Sequence, residues 1–386
     1  MVKDNLKRDN KKKILLLVDW FAPGYKAGGP IQSCVNFAFA LKNDFDIYVL
    51  TTDTDHGEKE PYQNIISNNW TDDNGFKIFY TRKSTMGLKQ LRQIILEAEA
   101  DYVYLNHFYS PYFVIYPLWL KFSGILKSKV VLCPRGALYN SAIAVKSFKK
   151  KPFIRLFGWL NMQKKITFHA TNEREKKAIE KFFPGNKTII ADNLPNTNQP
   201  AFVRCKKEKG SLKCIFIARI LPIKNLLFVL NVLKNIHEDV SLTIIGPVED
   251  RNYWSECKNK IAKLPDNINI DYLGPKRNDE IAEILLQHHL FVLPTEGENF
   301  GHSIFESLLC GRPVLISDQT PWLELAGKKA GWDLPLNSPG LFCEIIRNAA
   351  AFDQDEFDVW CSSAWNYAKT YIANKNLKGD YLKLFS

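Results

Sequence analysis

A chain of 386 residues is long enough for two domains with separate cores, and 46% hydrophobic against 24% charged residues excludes a disordered or fibrous protein. Eight scattered cysteines without a C-x-x-C pair argue against a disulfide framework or a zinc site; they read as reduced, mostly buried thiols of a cytoplasmic protein. The net charge of +11 is lopsided. Residues 1–200 carry +12 and the remainder −1, and between Asp101 and Glu173 eleven Lys or Arg occur with no acidic residue, so this half is expected to face nucleic acid, anionic lipid or a phosphate-bearing substrate.

The polar start, MVKDNLKRDNKKK, runs straight into a strand and shows no secretory signal. Ile14–Val18 (ILLLV) reads as a buried parallel strand, followed by Asp19, the loop WFAPGYKAGGP and a helical pattern over Ile31–Leu41. Gly28-Gly29 lacks the G-x-G-x-x-G spacing, so no dinucleotide fingerprint is present, and taken alone the pair reads as a turn. Alternation continues with strands Ile47–Thr51 and Ile78–Thr81, helix Leu88–Ala98 and strand Tyr102–Leu105. His107 follows that last strand, at the carboxyl edge where open α/β sheets bind ligands. Tyr109–Leu126, interrupted by Pro111, Pro117 and Lys121, reads as a packed helix rather than a membrane span. Strand Val130–Leu132 leads to Pro134-Arg135-Gly136-Ala137-Leu138, where the Arg135 fork suits a phosphate.

Val145–Lys165 (VKSFKKKPFIRLFGWLNMQKK) interleaves aromatic and basic residues. Two readings stand: a segment at a membrane surface, or a helix with a core-packed side and solvated lysines; Pro152 argues against one uninterrupted helix. Strand Ile166–Ala170, helix Glu173–Phe183 and strand Thr188–Ala191 close a first domain over 1–195, and 196–210 reads as a linker. A second domain over 211–354 opens with strand Cys214–Ala218, Arg219, Lys224 and helix Leu226–Leu233. Residues 355–386 read as helices.

The informative stretch is Pro294–Leu315, PTEGENFGHSIFESLLCGRPVL. Apolar runs on either side read as strands and Ser303–Cys310 has helical spacing, so the loop ending at Gly301 delivers backbone N–H groups to a helix start suited to an anion. Glu298 in the loop and Glu306 on the helix flank that start, an arrangement that fits a nucleotide-sugar: diphosphate between two polyols. The acidic loop, Phe300-Gly301, Glu306 and Gly311-Arg312-Pro313-Val314 together resemble the signature of retaining glycosyltransferases of the GT-B fold, family 4.

That resemblance implies an α/β fold of GT-B type, two Rossmann-like doubly wound domains facing each other across a cleft, with the C-terminal helices crossing back to the first domain. It implies a glycosyltransferase taking a nucleotide-sugar, the UDP form being commonest, to a glycan or lipid-pyrophosphate-linked acceptor, without a bound metal or other cofactor. Its site positions fall on Glu298, His107, Arg219 and Lys224 for chemistry. Gly28, Gly29, Asn299, Phe300, Gly301, Ser303, Glu306 and Tyr272 fall on donor binding, and Arg135 and Lys26 on acceptor binding. Asp53-Thr54-Asp55 has the bare spacing of a metal–diphosphate motif but reads as a post-strand loop. The basic first half then suits assembly of a capsule, O-antigen or exopolysaccharide repeat at the inner face of the plasma membrane, with a peripheral, anionic-surface contact. Two competitors explain part of this: a GT-B sugar-nucleotide epimerase or hydrolase, and a nucleic-acid-binding protein, for which no binding motif is found.

Overall fold

The structure, a computed structural model, describes residues 11–82, 85–144, 147–196 and 201–386. Residues 1–10 of the polar start, Val145 and Lys146 of the basic segment, and linker residues 197–200 lie outside the described residues. The chain divides into two compact units: Met1–Phe21 with Cys34–Leu194 and Lys378–Ser386, and Ala22–Ser33 with Pro195–Leu377.

Among the described residues, unit 1 is built on eight strands: β1 (Lys13–Leu17), β2 (Asp46–Thr52), β3 (Trp70–Asp73), β4 (Phe76–Thr81), β5 (Tyr102–Asn106), β6 (Lys129–Cys133), β7 (Thr167–Ala170) and β8 (Lys187–Ile190). They lie in the order β3-β4-β2-β1-β5-β6-β7-β8, parallel except for the β3–β4 pair. The central strand β1 (KILLL) pairs Ile14 with Ile47 on one side and Tyr102 on the other. Its apolar run is explained by burial on both faces. The helices are α1 (Gly29–Leu41), α2 (Leu88–Glu97), α3 (Tyr116–Phe122), α4 (Asn140–Ala144), α5 (Ser147–Trp159) and α6 (Glu173–Phe182). One π-helical turn, Pro111–Ile115, precedes α3. The expected break at Pro152 does not occur: α5 continues through it, because Ile154 and Phe157 on the following turn are buried in the unit's aromatic core.

Unit 2 carries β9 (Ser211–Ile217), β10 (Asp239–Ile245), β11 (Ile268–Gly274), β12 (Leu290–Leu293), β13 (Val314–Ser317) and β14 (Gly331–Leu334), all parallel, in the order β11-β10-β9-β12-β13-β14. Its helices are α7 (Leu226–Leu233), α8 (Arg251–Ile261), α9 (Asn278–Leu285), α10 (His302–Leu309), α11 (Pro339–Ala351) and α12 (Gln354–Asn374). The described linker residues do not hang free. Lys207 reaches the carbonyls of Ala350 and Phe352, and the buried Arg312 donates to Val203 O as well as to Leu285 O and Leu286 O at the end of α9. Arg312, part of the signature stretch, is thus a clamp on orphan helix carbonyls.

One segment changes sides relative to the expected bounds. Residues 22–33 belong to unit 2, where Gln32 is bonded to Asn278 and Ser33 Oγ lies 2.7 Å from His302 Nε2. The last helix, α13 (Leu377–Leu384), packs into unit 1: Tyr381 and Phe385 are buried against Phe37 and Tyr104, and Lys378 pairs with Asp44 at 2.7 Å.

Candidate active site

The strands of unit 2 end on one edge, and the turns there hold most of the expected donor residues. After β9 the chain passes Ala218 and Arg219 to a short 3-10 turn, Pro222–Lys224, and Asn225 at φ +62° before α7. That left-handed conformation favours glycine, and Asn is the residue that tolerates it best, so the departure from glycine at Asn225 keeps the turn. Gly246, at the end of β10, has no such latitude: a Cβ there would stand 1.9 Å from Ala218 O. It fixes the close approach of the β9 and β10 ends.

From β12 the chain enters the loop Pro294–Gly301. Thr295 Oγ1 donates to Ile223 O at 3.0 Å, Glu296 N donates to the same carbonyl at 2.8 Å, and Glu298 N donates to Gln319 O at 3.2 Å. These bonds tie the loop to the Lys224 turn on one side and to the segment after β13 on the other. Gly301 has φ +80°, and a Cβ there would meet Ile304 Cδ1 at 2.7 Å, so this entry into α10 favours glycine. No side chain caps the start of α10. Its first N–H groups therefore retain the partial positive charge that attracts an anion.

Of the expected residues, the structure brings Lys224 and Glu298 together as an ion pair, both side chains largely buried. Arg219 is held by Glu249 at 2.6 Å, a partner the sequence did not suggest. Glu306 sits on α10 with some surface exposed, yet among the described residues no hydrogen bond or ion pair engages its carboxylate. Burial pushes its pKa up to about 7. An acceptor group in this state is ready for ligand hydroxyls. Gly29 lies against the start of α10, where a Cβ would touch His302 Cδ2 at 3.6 Å, and Gly28 takes φ +66°. Lys26 belongs to the same 22–33 segment.

Two expected donor residues play other parts with their side chains. Phe300 is buried among His302, Phe305, Trp322 and Tyr371, and its carbonyl accepts from Trp322 Nε1, so only its backbone remains for a ligand. Tyr272 packs against Trp254, tilted by 49° with ring centroids 4.6 Å apart, and donates its hydroxyl to Gly246 O at 2.9 Å. It braces the strand ends. Asn299 and Ser303 keep part of their surface open on either side of Gly301. His302 and Ser33 were missed, though both lie inside quoted stretches; a polar pair after Gly301 and after Gly28-Gly29 was the available signal.

In unit 1, His107 ends β5 exposed, with φ +76°, and its Nδ1 accepts from Tyr109 N at 3.4 Å. A non-glycine residue in that conformation is strained, a state that concentrates at functional sites. Arg135, expected on acceptor phosphate, has its guanidinium engaged within the unit. Its guanidinium donates to Asn106 Oδ1 at 2.8 and 3.0 Å, to Tyr104 Oη at 3.1 Å and to Asn193 Oδ1. With its fork engaged internally it positions the β5–β6 edge. His169 joins the same cluster, 2.8 Å from Tyr104 Oη and 2.7 Å from Ala191 O, and burial lowers its pKa to about 3. Glu175, also missed, accepts from Gly136 N, Thr171 N and Thr171 Oγ1 and so shapes the 134–138 loop. Asp53, the first residue of the Asp-Thr-Asp triplet, is buried beside Ser67 and Arg82, at 2.8 and 3.2 Å, in the loop after β2.

Residues 197–347 match the family model of Glycosyl transferases group 1. The chain is a glycosyltransferase. Among its relatives, an uncharacterized glycosyltransferase of Methanocaldococcus jannaschii is 23% identical over 296 residues, 75% of this chain and 74% of that one. HepE of Anabaena, solved with UDP and glucose, superposes with a TM-score of 0.67 at 16% identity, covering 93% of this chain and 95% of its own. WaaG, a glycosyltransferase involved in lipopolysaccharide biosynthesis, superposes with a TM-score of 0.64 at 13% identity over 96% and 98%. These likenesses establish the GT-B fold for the glycosyltransferase, and its two parallel-sheet units are those of that fold. No described helix is long and apolar enough to cross a membrane.

Proposed function

We propose that this glycosyltransferase is a retaining, family 4 enzyme that moves a sugar from a UDP-sugar to a glycan or lipid-pyrophosphate-linked acceptor, in assembly of a capsule, O-antigen or exopolysaccharide. The observation that carries the reading is the uncapped start of α10, with the Lys224–Glu298 pair on its loop and the unengaged Glu306 on its helix. HepE, with UDP and glucose, and WaaG, in lipopolysaccharide biosynthesis, support the donor and the pathway.

In this reading the diphosphate lies at the α10 N–H groups and draws Lys224 away from Glu298 and Arg219 away from Glu249. Fixed cations and amides stabilise the charge that grows on the leaving nucleoside diphosphate. Glu306 accepts from the ribose hydroxyls, Glu298 from the donor sugar, and the amides of Asn299 and Ser303 complete the cradle. His107 serves the sugar near its reacting carbon, and Lys26 the acceptor. The acceptor oxygen bonds to the anomeric carbon on the face from which the phosphate oxygen leaves, and the departing phosphate takes the acceptor proton. No protein nucleophile and no metal are needed. The enzyme works on the cytoplasmic side, as a peripheral protein at the inner face of the membrane.

Calorimetric titration with UDP, GDP and ADP tests the donor site, with Glu306→Ala and Lys224→Ala beside the unaltered protein. UDP-selective binding lost in both variants is expected; absence of binding by folded protein to any nucleotide overturns the assignment. An NMR assignment of the product's anomeric linkage then tests retention. UDP release that no saccharide acceptor accelerates would make the protein a sugar-nucleotide hydrolase.

A further inference from the structure

Helix α5 has two apolar sides. Its inward side, at the helical spacing Phe153, Ile154 and Phe157, packs in the core of unit 1, Ile154 and Phe157 fully buried. Its outward side repeats the pattern. Phe148, Pro152, Leu156 and Trp159 recur at i, i+4, i+8 and i+11, which is one stripe of a 3.6-residue helix, and Phe148 is 72%, Leu156 50% and Trp159 78% exposed. Leu160 continues it at 50%. A solvated surface helix would carry polar residues there.

The stripe is rimmed by cations. At 100° per residue Lys151 and Arg155 lie on one flank and Lys149 on the other, all exposed. The chain then turns through Met162–Lys165, where Lys164 and Lys165 are exposed and Lys165 Nζ stands 5.3 Å from the Phe122 ring of α3. That contact joins α3 to the patch, and α3 adds Trp119, 54% exposed and stacked on Tyr116. No acidic residue occurs anywhere between Asp101 and Glu173 to offset the charge.

The geometry points to this face of α5 and α3 as the surface that docks on an anionic lipid bilayer, with Phe148, Leu156, Trp159 and Trp119 set into the headgroup–acyl boundary and the lysines and arginine on lipid phosphates. This deepens the membrane-side reading of the proposed function and names the contact. The charge decides the occupant: a second copy would bring two basic rims together, and nucleic acid offers no hydrocarbon for the exposed leucines.

Sedimentation of the full chain with vesicles of phosphatidylcholine alone, or mixed with phosphatidylglycerol, tests the assignment. Binding to the mixed vesicles is expected to be at least ten-fold tighter and to weaken with salt, and each basic residue removed among Lys151, Arg155 and Lys164 costs about five-fold. Phe148→Ser with Trp159→Ser lowers binding at least ten-fold, while UDP titration and the circular dichroism melt stay unchanged. Equal binding to both vesicles, no effect of the apolar pair, or tighter binding to an RNA oligonucleotide than to the mixed vesicles overturns the proposal. UDP binding is read on the same samples, so a failed donor site and a failed lipid surface register separately.

Discussion

The two strand-end edges of this glycosyltransferase treat their charges in opposite ways. In unit 2, Lys224 and Arg219 meet carboxylates across loops, Glu298 and Glu249, and Glu306 meets nothing among the described residues. In unit 1, Arg135 is bound by neutral oxygens of Asn106, Tyr104 and Asn193. A cation paired with a carboxylate can be handed to an incoming phosphate at little cost, since one anion replaces another. A cation whose hydrogens already satisfy buried amides cannot leave without stranding them. The lesson is that an arginine at a strand end is no ligand until its donors are accounted for.

The sharpest way to break the contrast is Lys224→Ala, for which transfer, followed by UDP release, is expected to fall about 10²–10³-fold. A variant with unaltered kcat/KM would place the diphosphate elsewhere. Arg135→Ala is next. It should lower unfolding free energy by about 2–3 kcal/mol in a urea titration, with acceptor KM unmoved in the folded protein. A raised acceptor KM at unchanged stability would return Arg135 to the acceptor.

Glu306 sharpens the comparison through pH. With its pKa near 7, the carboxyl is protonated below that point and loses half its accepting capacity toward ribose hydroxyls, so UDP affinity should rise as pH passes upward through 7. Glu306→Gln should flatten that profile and weaken UDP about ten-fold at pH 8, about 1.4 kcal/mol. The sign for folding is opposite. A carboxyl raised by burial binds its proton more tightly when folded, so its contribution to stability declines as pH rises from the ordinary carboxyl value of 4.5 toward 7, and the glutamine variant should melt higher at pH 8. The smallest effect is Asn225→Gly: at φ +62° it should change unfolding free energy by no more than about 0.5 kcal/mol, whereas Asn225→Val should cost about 1–2 kcal/mol.

Much of this was legible in the chain. The apolar runs within β1, β9 and β12 announce buried parallel strands, and the string from Thr295 to Val314 contains its loop, Gly301 and both Glu298 and Glu306 within one short stretch. What escaped has physical causes. β3 (WTDD) carries two aspartates at a sheet edge, where half its surface meets water and no apolar alternation is required. Arg135 could not be understood from its own loop, because Tyr104, Asn106 and Asn193 come from 31, 29 and 58 residues away. Pro152 misled because local helix propensity is weaker than the burial of Ile154 and Phe157 that carries the helix past it.

The return of residues 378–386 to unit 1 has a consequence for synthesis. The ribosome delivers the eight strands of this unit first, yet Phe37 and Tyr104 lack their covering partners until Tyr381 and Phe385 have been made. Every strand of unit 2 is translated before that moment, so the half that leads on the messenger is the last to be sealed. A nascent chain arrested short of residue 378 presents an open aromatic seam, the kind of surface that chaperones engage.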